Sequence, residues 1–483
     1  MRKAVLVGVE LNNAPNFDYH MEELAGLAGA CEIEPAAVVT QKLPVTNAAL
    51  YVGPGKVEEI RLTAEMVEAD LVVFDNSLKP SQQRNLQKEL DLPVMDRTNL
   101  ILEIFEKRAR TKEAKLQVES ASLQYMLPRL VGMREALSRQ GGGAGAGGGA
   151  GAGGGLANRG AGEQKLELDR RKIEKRISEL RRDLEAIEQD RATQRLKREK
   201  SEIPSVALVG YTNAGKSTLL NAMLELYRND LPRERSAEAA VIENQENSSG
   251  SYLYKEETYE EQLPGNRLHP NTGSEENRKH TSRSIEEKMV LEKDMLFATL
   301  DTTVRRISPG DNRDFLLSDT VGFIDQLPHT LIKAFRSTLA EACGADLLLQ
   351  VVDYSDPHYR EQMQVTGDTL RELGAEKIPC IYIMNKADRM MEEDALPKVV
   401  GDKIFLSAKK RIGMEQLLEL IRAKLFADYV DCEFLIPYTD GAAVAYLKEH
   451  AVVQTLDYQP EGVIVKANCK KSDAGRYRNY RRW

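Results

Sequence analysis

The sequence predicts a multidomain α/β protein, and three observations support this fold class. The chain has 483 residues, which exceeds the usual size of one compact core and favours about three domains. Short apolar runs alternate with helix-like stretches in residues 1–100 and again from Pro204 onward, as in parallel sheets covered by helices. Between these regions the apolar spacing becomes helical among dense charges. We therefore expect two α/β domains separated by a long helical hairpin.

The predicted domain boundaries follow these changes of pattern. A small α/β domain is expected over residues 1–100, and two long helices form a hairpin over 101–200. Glycines lose much backbone entropy on ordering, so the glycine- and alanine-rich run between the helices predicts a flexible tip loop at 138–163. A doubly wound domain is expected over 203–428 and a small α+β domain over 430–483.

One segment of the doubly wound domain departs from its pattern. Residues 229–293 are polar, poor in large aliphatic side chains and without sustained periodicity, which favours a largely disordered insertion. A surface insertion costs little loop-closure entropy, so its simplest interpretation is a tolerated loop.

Composition excludes several classes of protein. The content of 42% hydrophobic and 29% charged residues is typical of soluble globular chains, and no apolar run reaches the length of a membrane span. The N-terminus reads MRKAVLVGVELNN and offers no small-residue cleavage site, so it predicts a first strand, not a signal peptide, and a cytoplasmic protein. The five cysteines are scattered without a CxxC pair, which predicts reduced thiols.

The charge is unevenly distributed along the chain. The formal net charge of −8 gives no overall attraction to nucleic acid. Basic residues nevertheless crowd into 108–115, 170–200 and 476–482. Taken alone, each such run is more simply interpreted as a solvated helix face.

The run GYTNAGKS at 210–217 has the spacing of a P-loop between a predicted strand and a predicted helix. Its glycines allow backbone N–H groups to surround phosphates, and the helix N-terminus favours an anion. Lys216 would place a charge on the β- and γ-phosphates, and Ser217 would offer a hydroxyl to Mg²⁺. A glycine turn with a capping serine is the alternative, which the flanking strand and helix disfavour. The nucleotide-binding candidates here are Gly210, Tyr211, Thr212, Asn213, Ala214, Gly215, Lys216, Ser217 and Thr218.

Recognition of the base is expected at NKAD, residues 385–388, where another strand ends. The Asp388 carboxylate can accept hydrogen bonds from N1 and N2 of guanine, whereas adenine lacks that pair, so the motif predicts GTP over ATP. NKxD alone is a weak signal, but SAK at 407–409 follows it in the order found in GTPases, with the Ala408 N–H suited to guanine O6. The candidates are Asn385, Lys386, Ala387, Asp388, Ser407, Ala408 and Lys409.

Two further segments are expected to sense the nucleotide. Asp319 could hold Mg²⁺ through water, and the N–H of Gly322 could meet the γ-phosphate. Upstream, a hydroxyl from Thr299 could complete the metal shell only in the GTP state, and Thr302 or Thr303 could do so instead. The nucleotide-binding candidates are Phe297, Ala298, Thr299, Leu300, Asp301, Asp319, Thr320, Val321 and Gly322. We expect Lys216, Thr299 and Gly322 to support catalysis, with Ser217 and Thr299 as metal ligands.

Phe323 occupies the position at which many GTPases carry the glutamine that orients the attacking water. Slow intrinsic turnover is therefore expected, with the water positioned by backbone, by another side chain or by a partner. A core role for Phe323 is compatible with this expectation.

Several strings together resemble the HflX family of GTPases, within the Obg-HflX-like superfamily. These strings are GYTNAGKST, LFATLD, SDTVGFIDQLPHTLIKAFRSTL, YVGPGKVEEI, DRTNLILEIFEKRARTKEAKLQVE, LQYMLPRL and SRQGGG. The resemblance implies an N-terminal α/β domain with a long helical hairpin, a Ras-like P-loop G domain and a small C-terminal domain. It also implies Mg²⁺ ligation by Ser217 and Thr299, and a monomer that associates with the large ribosomal subunit in splitting or rescue of stalled ribosomes under stress.

The resemblance further implies that the hairpin loop, 138–163, approaches ribosomal RNA, with Arg139 and Arg159 as phosphate contacts. The chain departs from the family pattern in this loop, where a glycine and alanine repeat is inserted and ANRGAGE replaces TRGPGE. Thr302 also stands where a proline commonly follows Leu-Asp.

The leading hypothesis is a GTP hydrolase whose nucleotide state controls binding to the large ribosomal subunit. An RNA-binding adaptor that uses GTP as an ordering ligand is the alternative, and a GTPase with a protein or membrane partner is a third possibility. GTP turnover with and without ribosomal subunits would separate them. The string GPGK at 53–56 could suggest a second phosphate site, but a turn into a helix explains it better.

Overall fold

The computed structural model describes most of the chain outside the predicted insertion. The residues described are 1–12, 16–141, 155–200, 203–228, 296–297, 303–310, 313–325, 331 and 341–482. They divide into two compact units, one of Met1–Lys216, Glu292–Val304 and Leu316–Leu425, the other of Ser217–Leu291, Arg305–Phe315 and Phe426–Trp483. None of the helices that the structure describes combines the length and apolar character that crossing a membrane requires.

The N-terminal region is a parallel α/β layer with strand order β2-β1-β3-β4. Strand β1 reads AVLVGV through its centre and is buried there, as expected for a central parallel strand with helices on both faces. The GPGK string forms a turn into a helix, because Gly53 precedes α2 and Pro54 is its first residue. The elements are β1 (Arg2–Leu11), α1 (Phe17–Ala30), β2 (Ile33–Leu43), α2 (Pro54–Val67), β3 (Leu71–Phe74), α3 (Pro80–Leu90), β4 (Val94–Asp96) and α4 (Arg97–Arg108).

Two long helices follow, α5 (Lys112–Gly141) and α6 (Gly155–Lys200), and they pack against each other. Arg176 of α6 donates two hydrogen bonds to the carboxylate of Glu119 of α5, at 2.7 and 2.9 Å. The helices extend into the predicted tip loop 138–163 from both sides, because the residues that flank the glycine repeat form helices more readily than glycine does. The repeat runs from 141 to 155, and its residues 142–154 lie outside the described part of the chain.

The doubly wound domain is built on a seven-stranded sheet of order β10-β11-β9-β8-β5-β7-β6. The inner strands pair in parallel, and β10 pairs antiparallel to β11. The elements are β5 (Ser205–Gly210), α7 (Lys216–Arg228), β6 (Thr303–Ile307), β7 (Phe315–Asp319), β8 (Leu347–Asp353), α8 (Tyr359–Glu372), β9 (Cys380–Asn385), β10 (Lys398–Val400), β11 (Lys403–Phe405) and α9 (Met414–Leu425). The predicted insertion 229–293 lies outside the described residues.

The register of this sheet brings the carboxyl ends of its central strands to one edge. Gly210 lies opposite Val351, and Leu208 lies opposite Asp319. Asp353 lies opposite Asn385. Ligands bind at this edge in open parallel sheets, so the topology supports a site there.

The C-terminal region is a small α+β fold with an antiparallel sheet of order β13-β14-β12-β15. Its core packs Phe434 of the sheet against Leu447 of a helix. The elements are β12 (Tyr429–Ile436), α10 (Gly441–His450), β13 (Val452–Gln459), β14 (Gly462–Lys470), α11 (Lys471–Arg476) and β15 (Arg481–Arg482). The predicted fold class is therefore confirmed for the N-terminal α/β domain with its helical hairpin, for the doubly wound domain and for the small C-terminal domain.

One hydrophobic cluster joins the N-terminal layer to the doubly wound domain. Leu27 of α1 and Phe105 of α4 belong to it, together with Tyr211 of the predicted P-loop, Phe297 and Ile324. The two regions therefore share buried surface within one compact unit.

Candidate nucleotide-binding site

The predicted P-loop leaves β5 at Gly210 and enters α7 at Lys216. Gly215 has φ +92°, and a Cβ on it would lie 2.3 Å from Nδ2 of Asn385. Only glycine fits this combination of left-handed backbone and close approach. The loop therefore curls tightly at the helix N-terminus, where backbone N–H groups favour an anion.

Lys216, the first residue of α7, is buried against the backbone of the P-loop. Its Nζ atom donates to the backbone oxygens of Gly210 at 3.0 Å and Tyr211 at 2.8 Å. An ammonium group has three donors, so these two bonds leave one for a phosphate oxygen. Burial lowers the pKa of Lys216 to about 8, and the nearby Asp319 carboxylate partly opposes this shift.

Asn385 connects the P-loop to the loop that contains SAK. Its Nδ2 atom donates to the backbone oxygen of Ala214 at 2.9 Å, and its Oδ1 atom accepts from the N–H of Ala408 at 3.0 Å. The N–H that we predict to bind guanine O6 is thus engaged with Asn385 in this structure. The side chain of Lys409 is exposed.

Lys386 spans from the predicted base site to the phosphate site. Its Nζ atom lies 2.8 Å from the backbone oxygen of Asn213 and 2.7 Å from Oδ2 of Asp353. Both acceptors therefore hold the ammonium group at the end of the lysine stem. Such a stem presents an apolar surface on which a flat base can lie.

Asp388 keeps its charge through its neighbours. Its Oδ2 atom lies 3.4 Å from Nζ of Lys410. The pKa of Asp388 is below its ordinary value, because burial, which raises it, is outweighed by hydrogen bonds from Ser407 and Lys410. An ionised carboxylate accepts hydrogen bonds and donates none, which is what two guanine N–H groups require.

The DTVG segment lies directly along the P-loop. The N–H of Phe323 donates to the backbone oxygen of Gly210 at 3.0 Å, and the N–H of Thr212 donates to the backbone oxygen of Phe323 at 2.8 Å. A Cβ on Gly322 would lie 2.9 Å from Cα of Thr212, so this approach also requires glycine. The ring of Phe323 is buried in a core cluster with Ala207 and other apolar residues. Phe323 therefore packs in the core.

The upstream switch segment is described only in part. Phe297 is buried, and its ring meets that of Phe105 edge to face, with centroids 4.7 Å apart. Thr303 begins β6. The residues outside the described part are Ala298, Thr299, Leu300, Asp301 and Thr302.

The residues present fit the chemistry of a magnesium site. Ser217, in the first turn of α7, supplies a hydroxyl, and Asp319, at the end of β7, supplies a carboxylate that is 1% exposed. Oxygen donors of this kind, with water and nucleotide phosphates, are the ligands that Mg²⁺ takes in nucleotide sites.

The predicted RNA contacts can be placed only on their elements. Arg139 lies in α5 and Arg159 in α6. Both fall in the stretch of the hairpin where the backbone alone is described.

Sequence reasoning missed two groups of residues. The first group is Asp353 and Lys410, and Lys410 directly follows SAK. Asp353 ends the strand-like run LLLQVVD, so the rule that ligands bind at the carboxyl ends of parallel strands could have identified it. The second group surrounds the buried Tyr211 side chain and consists of Glu23, Arg97 and Asp325. These positions are far apart in sequence and share no local pattern.

Comparisons with known proteins place this chain among GTPases. Three family models match: "GTP-binding GTPase N-terminal" over residues 18–106, "GTP-binding GTPase Middle Region" over 108–198, and "50S ribosome-binding GTPase" over 205–240 and 281–386. The relatives are named "GTPase HflX".

One relative, from Caldanaerobacter subterraneus, is 38% identical over 99% of this chain and 93% of its own length. The relative from Alkalihalophilus pseudofirmus is 37% identical over 96% and 93%. The relative from Escherichia coli is 34% identical over 91% and 86%. The chain therefore belongs to the HflX family of GTPases.

Proposed function

We propose that this protein is a GTP-hydrolysing switch that binds the large ribosomal subunit in its GTP state and acts in ribosome splitting, rescue or recycling under stress. The observation that supports nucleotide binding most directly is the two hydrogen bonds of Asn385. It donates one to the P-loop at 2.9 Å and accepts one from SAK at 3.0 Å. One side chain thereby fixes the distance between a phosphate cradle and a base-recognition loop.

Each group at the edge of the sheet has a role in this proposal. The P-loop amides and Lys216 hold the phosphates, and Asp388 accepts from guanine. Lys386 supports the base along its stem. Gly322 reports the γ-phosphate through its N–H, because the close approach to Thr212 keeps that segment beside the P-loop.

A magnesium ion, when bound, would neutralise charge on the β- and γ-phosphates. Ser217 and Asp319 would hold it, with Thr299 as the expected third protein group. The Asp319 carboxylate also keeps Lys216 protonated more readily than burial alone would allow.

The ribosomal partner is supported by family membership and by the surface of the hairpin. The matched G-domain model is that of a 50S ribosome-binding GTPase. On α6, Arg171, Lys172, Lys175, Arg181 and Arg182 are exposed. Exposed cations on a helix can contact RNA phosphates without reading sequence. We propose the same role for Arg139 and Arg159 near the tip.

Co-sedimentation with purified large ribosomal subunits tests the proposal. The bound fraction is compared in GTP, a non-hydrolysable GTP analogue and GDP, with Lys216→Ala as the control that cannot hold phosphate. We expect strong binding with the analogue and weak binding with GDP. Equal binding in all three states would contradict a switch, and no binding would contradict the ribosomal partner.

A second candidate function is an RNA-binding adaptor that GTP merely orders. The buried ring of Phe323 favours it, because that position offers no polar group to orient water. GTP turnover at saturating large subunits decides between the two. Turnover that remains negligible there would leave the adaptor as the better account.

A further inference from the structure

The side chain of Tyr211 leaves the P-loop and reaches the N-terminal layer. It is 4% exposed. Its hydroxyl oxygen accepts a hydrogen bond from the N–H of Asp325 at 2.7 Å, and its O–H donates to the carboxylate of Glu23 on α1. A phenol has one donor and can accept at the same time, so both bonds form together.

Arg97, the first residue of α4, completes the cluster. Its guanidinium donates to Oδ1 of Asp75 at 2.7 Å, to the carboxylate of Glu23, and to the backbone oxygen of Asp325 at 3.3 Å. Arg97 and both carboxylate residues are at most 8% exposed. The backbone of Asp325 is therefore held at its N–H by Tyr211 and at its C=O by Arg97.

Asp325 lies three residues after Gly322, in the segment whose movement reports the nucleotide. Only Phe323 and Ile324 separate the two, and both are buried. A restraint on Asp325 therefore limits where the N–H of Gly322 can lie. Since Phe323 supplies no polar group for the attacking water, hydrolysis depends strongly on the position of this backbone.

The charge of the cluster is itself informative. Burying an arginine with two carboxylates carries a large desolvation cost, and a well-packed apolar group of the same volume is often equally stable or more stable. Stability alone therefore does not account for these charges. A specific task follows from their arrangement, because Arg97 contacts Asp325 directly and Glu23 holds Tyr211, which contacts Asp325 in turn.

The same two helices also contact the upstream switch segment. Phe105 of α4 packs on Phe297, and a Cβ on Gly26 of α1 would lie 3.2 Å from a methyl carbon of Leu296. Helices α1 and α4 thus contact both nucleotide-sensing segments within one compact unit.

We propose that Tyr211, Glu23 and Arg97 are positioning residues that hold the DTVG segment at Asp325 and so set Gly322 for contact with the γ-phosphate. This inference rests on the proposed GTPase function and names the side chains through which the N-terminal layer acts on it. None of the three side chains touches the reacting atoms.

The test is Tyr211→Phe, which keeps the ring and removes both hydrogen bonds of the hydroxyl. We expect kcat for GTP to fall about tenfold and the affinity ratio of a non-hydrolysable GTP analogue to GDP to fall about fivefold, with GDP affinity within about twofold of wild type. GDP lacks the γ-phosphate, so a group that acts through Gly322 does not affect it. The affinity ratio needs no turnover and can be read even if the wild-type protein hydrolyses GTP too slowly to measure.

Two further variants separate positioning from a loss of folding. Tyr458→Phe removes a hydroxyl from an exposed ring on β13 and should leave kcat and the affinity ratio unchanged. Glu23→Gln keeps an oxygen that accepts from Tyr211 and should lower kcat less than Tyr211→Phe does. Thermal unfolding is measured on all variants, so that a fold defect is recognised directly.

Three results would overturn the inference. The first is a Tyr211→Phe protein with wild-type kcat and a wild-type affinity ratio. The second is a rise in kcat, which would mean that the cluster restrains hydrolysis. The third is an equal loss of GDP and analogue affinity, which would place Tyr211 in general nucleotide binding. Absent turnover in the wild-type protein would instead contradict the proposed function, and the affinity ratio would still decide the role of Tyr211.

Discussion

Nζ of Lys386 lies 2.7 Å from Oδ2 of Asp353, and the other oxygen of that carboxylate accepts from the backbone N–H and the hydroxyl of Ser355 at 3.0 and 2.6 Å. The end of β8 therefore orients the lysine of the NKAD motif through a group that itself has fixed partners. Asp353, which lies outside the recognised motifs, thus orients Lys386 of the NKAD motif.

Asp353→Asn should weaken GDP binding about tenfold, because the amide loses the charge that holds Lys386 along the base. The measurement is GDP affinity by fluorescence titration. Asp368→Asn on the exposed surface of α8 is the matched control, and it should leave affinity unchanged. An Asp353→Asn protein with wild-type affinity would mean that Asn213 alone suffices to orient Lys386.

Asp388→Asn should exchange guanine for xanthine specificity. The carboxylate accepts from two guanine N–H groups, whereas an amide offers one acceptor and one donor and matches the exocyclic oxygen of xanthine. We expect GTP affinity to fall by about 10²-fold or more, and XTP to bind better than GTP. Competition between GTP and XTP measures this. Unchanged preference for GTP would show that the base is recognised by other groups.

Gly322→Ala should lower kcat about 10²-fold and leave GDP affinity nearly unchanged. The new Cβ would meet Cα of Thr212 at 2.9 Å, so the DTVG backbone must move away from the P-loop. Single-turnover hydrolysis measures the effect. Gly29→Ala in α1 is the control, since a Cβ there meets nothing within 4 Å. Equal kcat in the two variants would contradict a role for this close approach.

The sequence allowed the phosphate and base motifs to be predicted because each is a short run that ends a strand. Gly210 to Ser217 and Asn385 to Asp388 have spacings imposed by the ligand, and parallel strands then bring them to one edge of the sheet. The Tyr211 cluster could not be predicted in this way. Its members come from helices α1 and α4 and from loops of two domains, and only tertiary packing places Glu23 beside Tyr211.

The assignment of Ala408 shows a further limit of sequence reasoning. The motif predicts that the N–H of this residue is well placed for guanine O6, and in the structure it donates to Oδ1 of Asn385 at 3.0 Å. The order of the motifs along the chain predicts which groups lie near the base. That order does not predict which of these groups form hydrogen bonds with one another.

Nucleotide affinity should decrease as pH rises through about 8, because burial lowers the pKa of Lys216 to that value. A phosphate stabilises the ammonium and raises its pKa in the complex, so binding above the pKa of the free protein requires uptake of a proton. The dissociation constant of GDP should then rise by up to about tenfold for each pH unit above 8. Titrations between about pH 7 and pH 9.5 measure the slope.

Lys216→Arg is the matched variant for this pH series, because a guanidinium stays charged throughout the range. Its fork geometry should weaken binding at neutral pH, but the slope above about pH 8 should be shallower than in wild type. Titration of the guanine base affects both proteins equally and cancels in the comparison. Identical slopes would mean that Lys216 remains charged over this range.

Removal of magnesium should abolish hydrolysis and weaken GTP binding more than GDP binding, because the ion would neutralise negative charge on the phosphates, of which GTP carries more. Turnover is measured in excess EDTA and then against increasing free Mg²⁺. In Ser217→Ala, the Mg²⁺ concentration for half-maximal turnover should rise about tenfold or more, since the variant lacks one of the oxygen donors. Ser178→Ala, on the exposed surface of α6, should retain the wild-type requirement. If Ser217→Ala and wild type need the same Mg²⁺ concentration, the hydroxyl is not a ligand, and Asp319 would be the principal protein group that holds the ion.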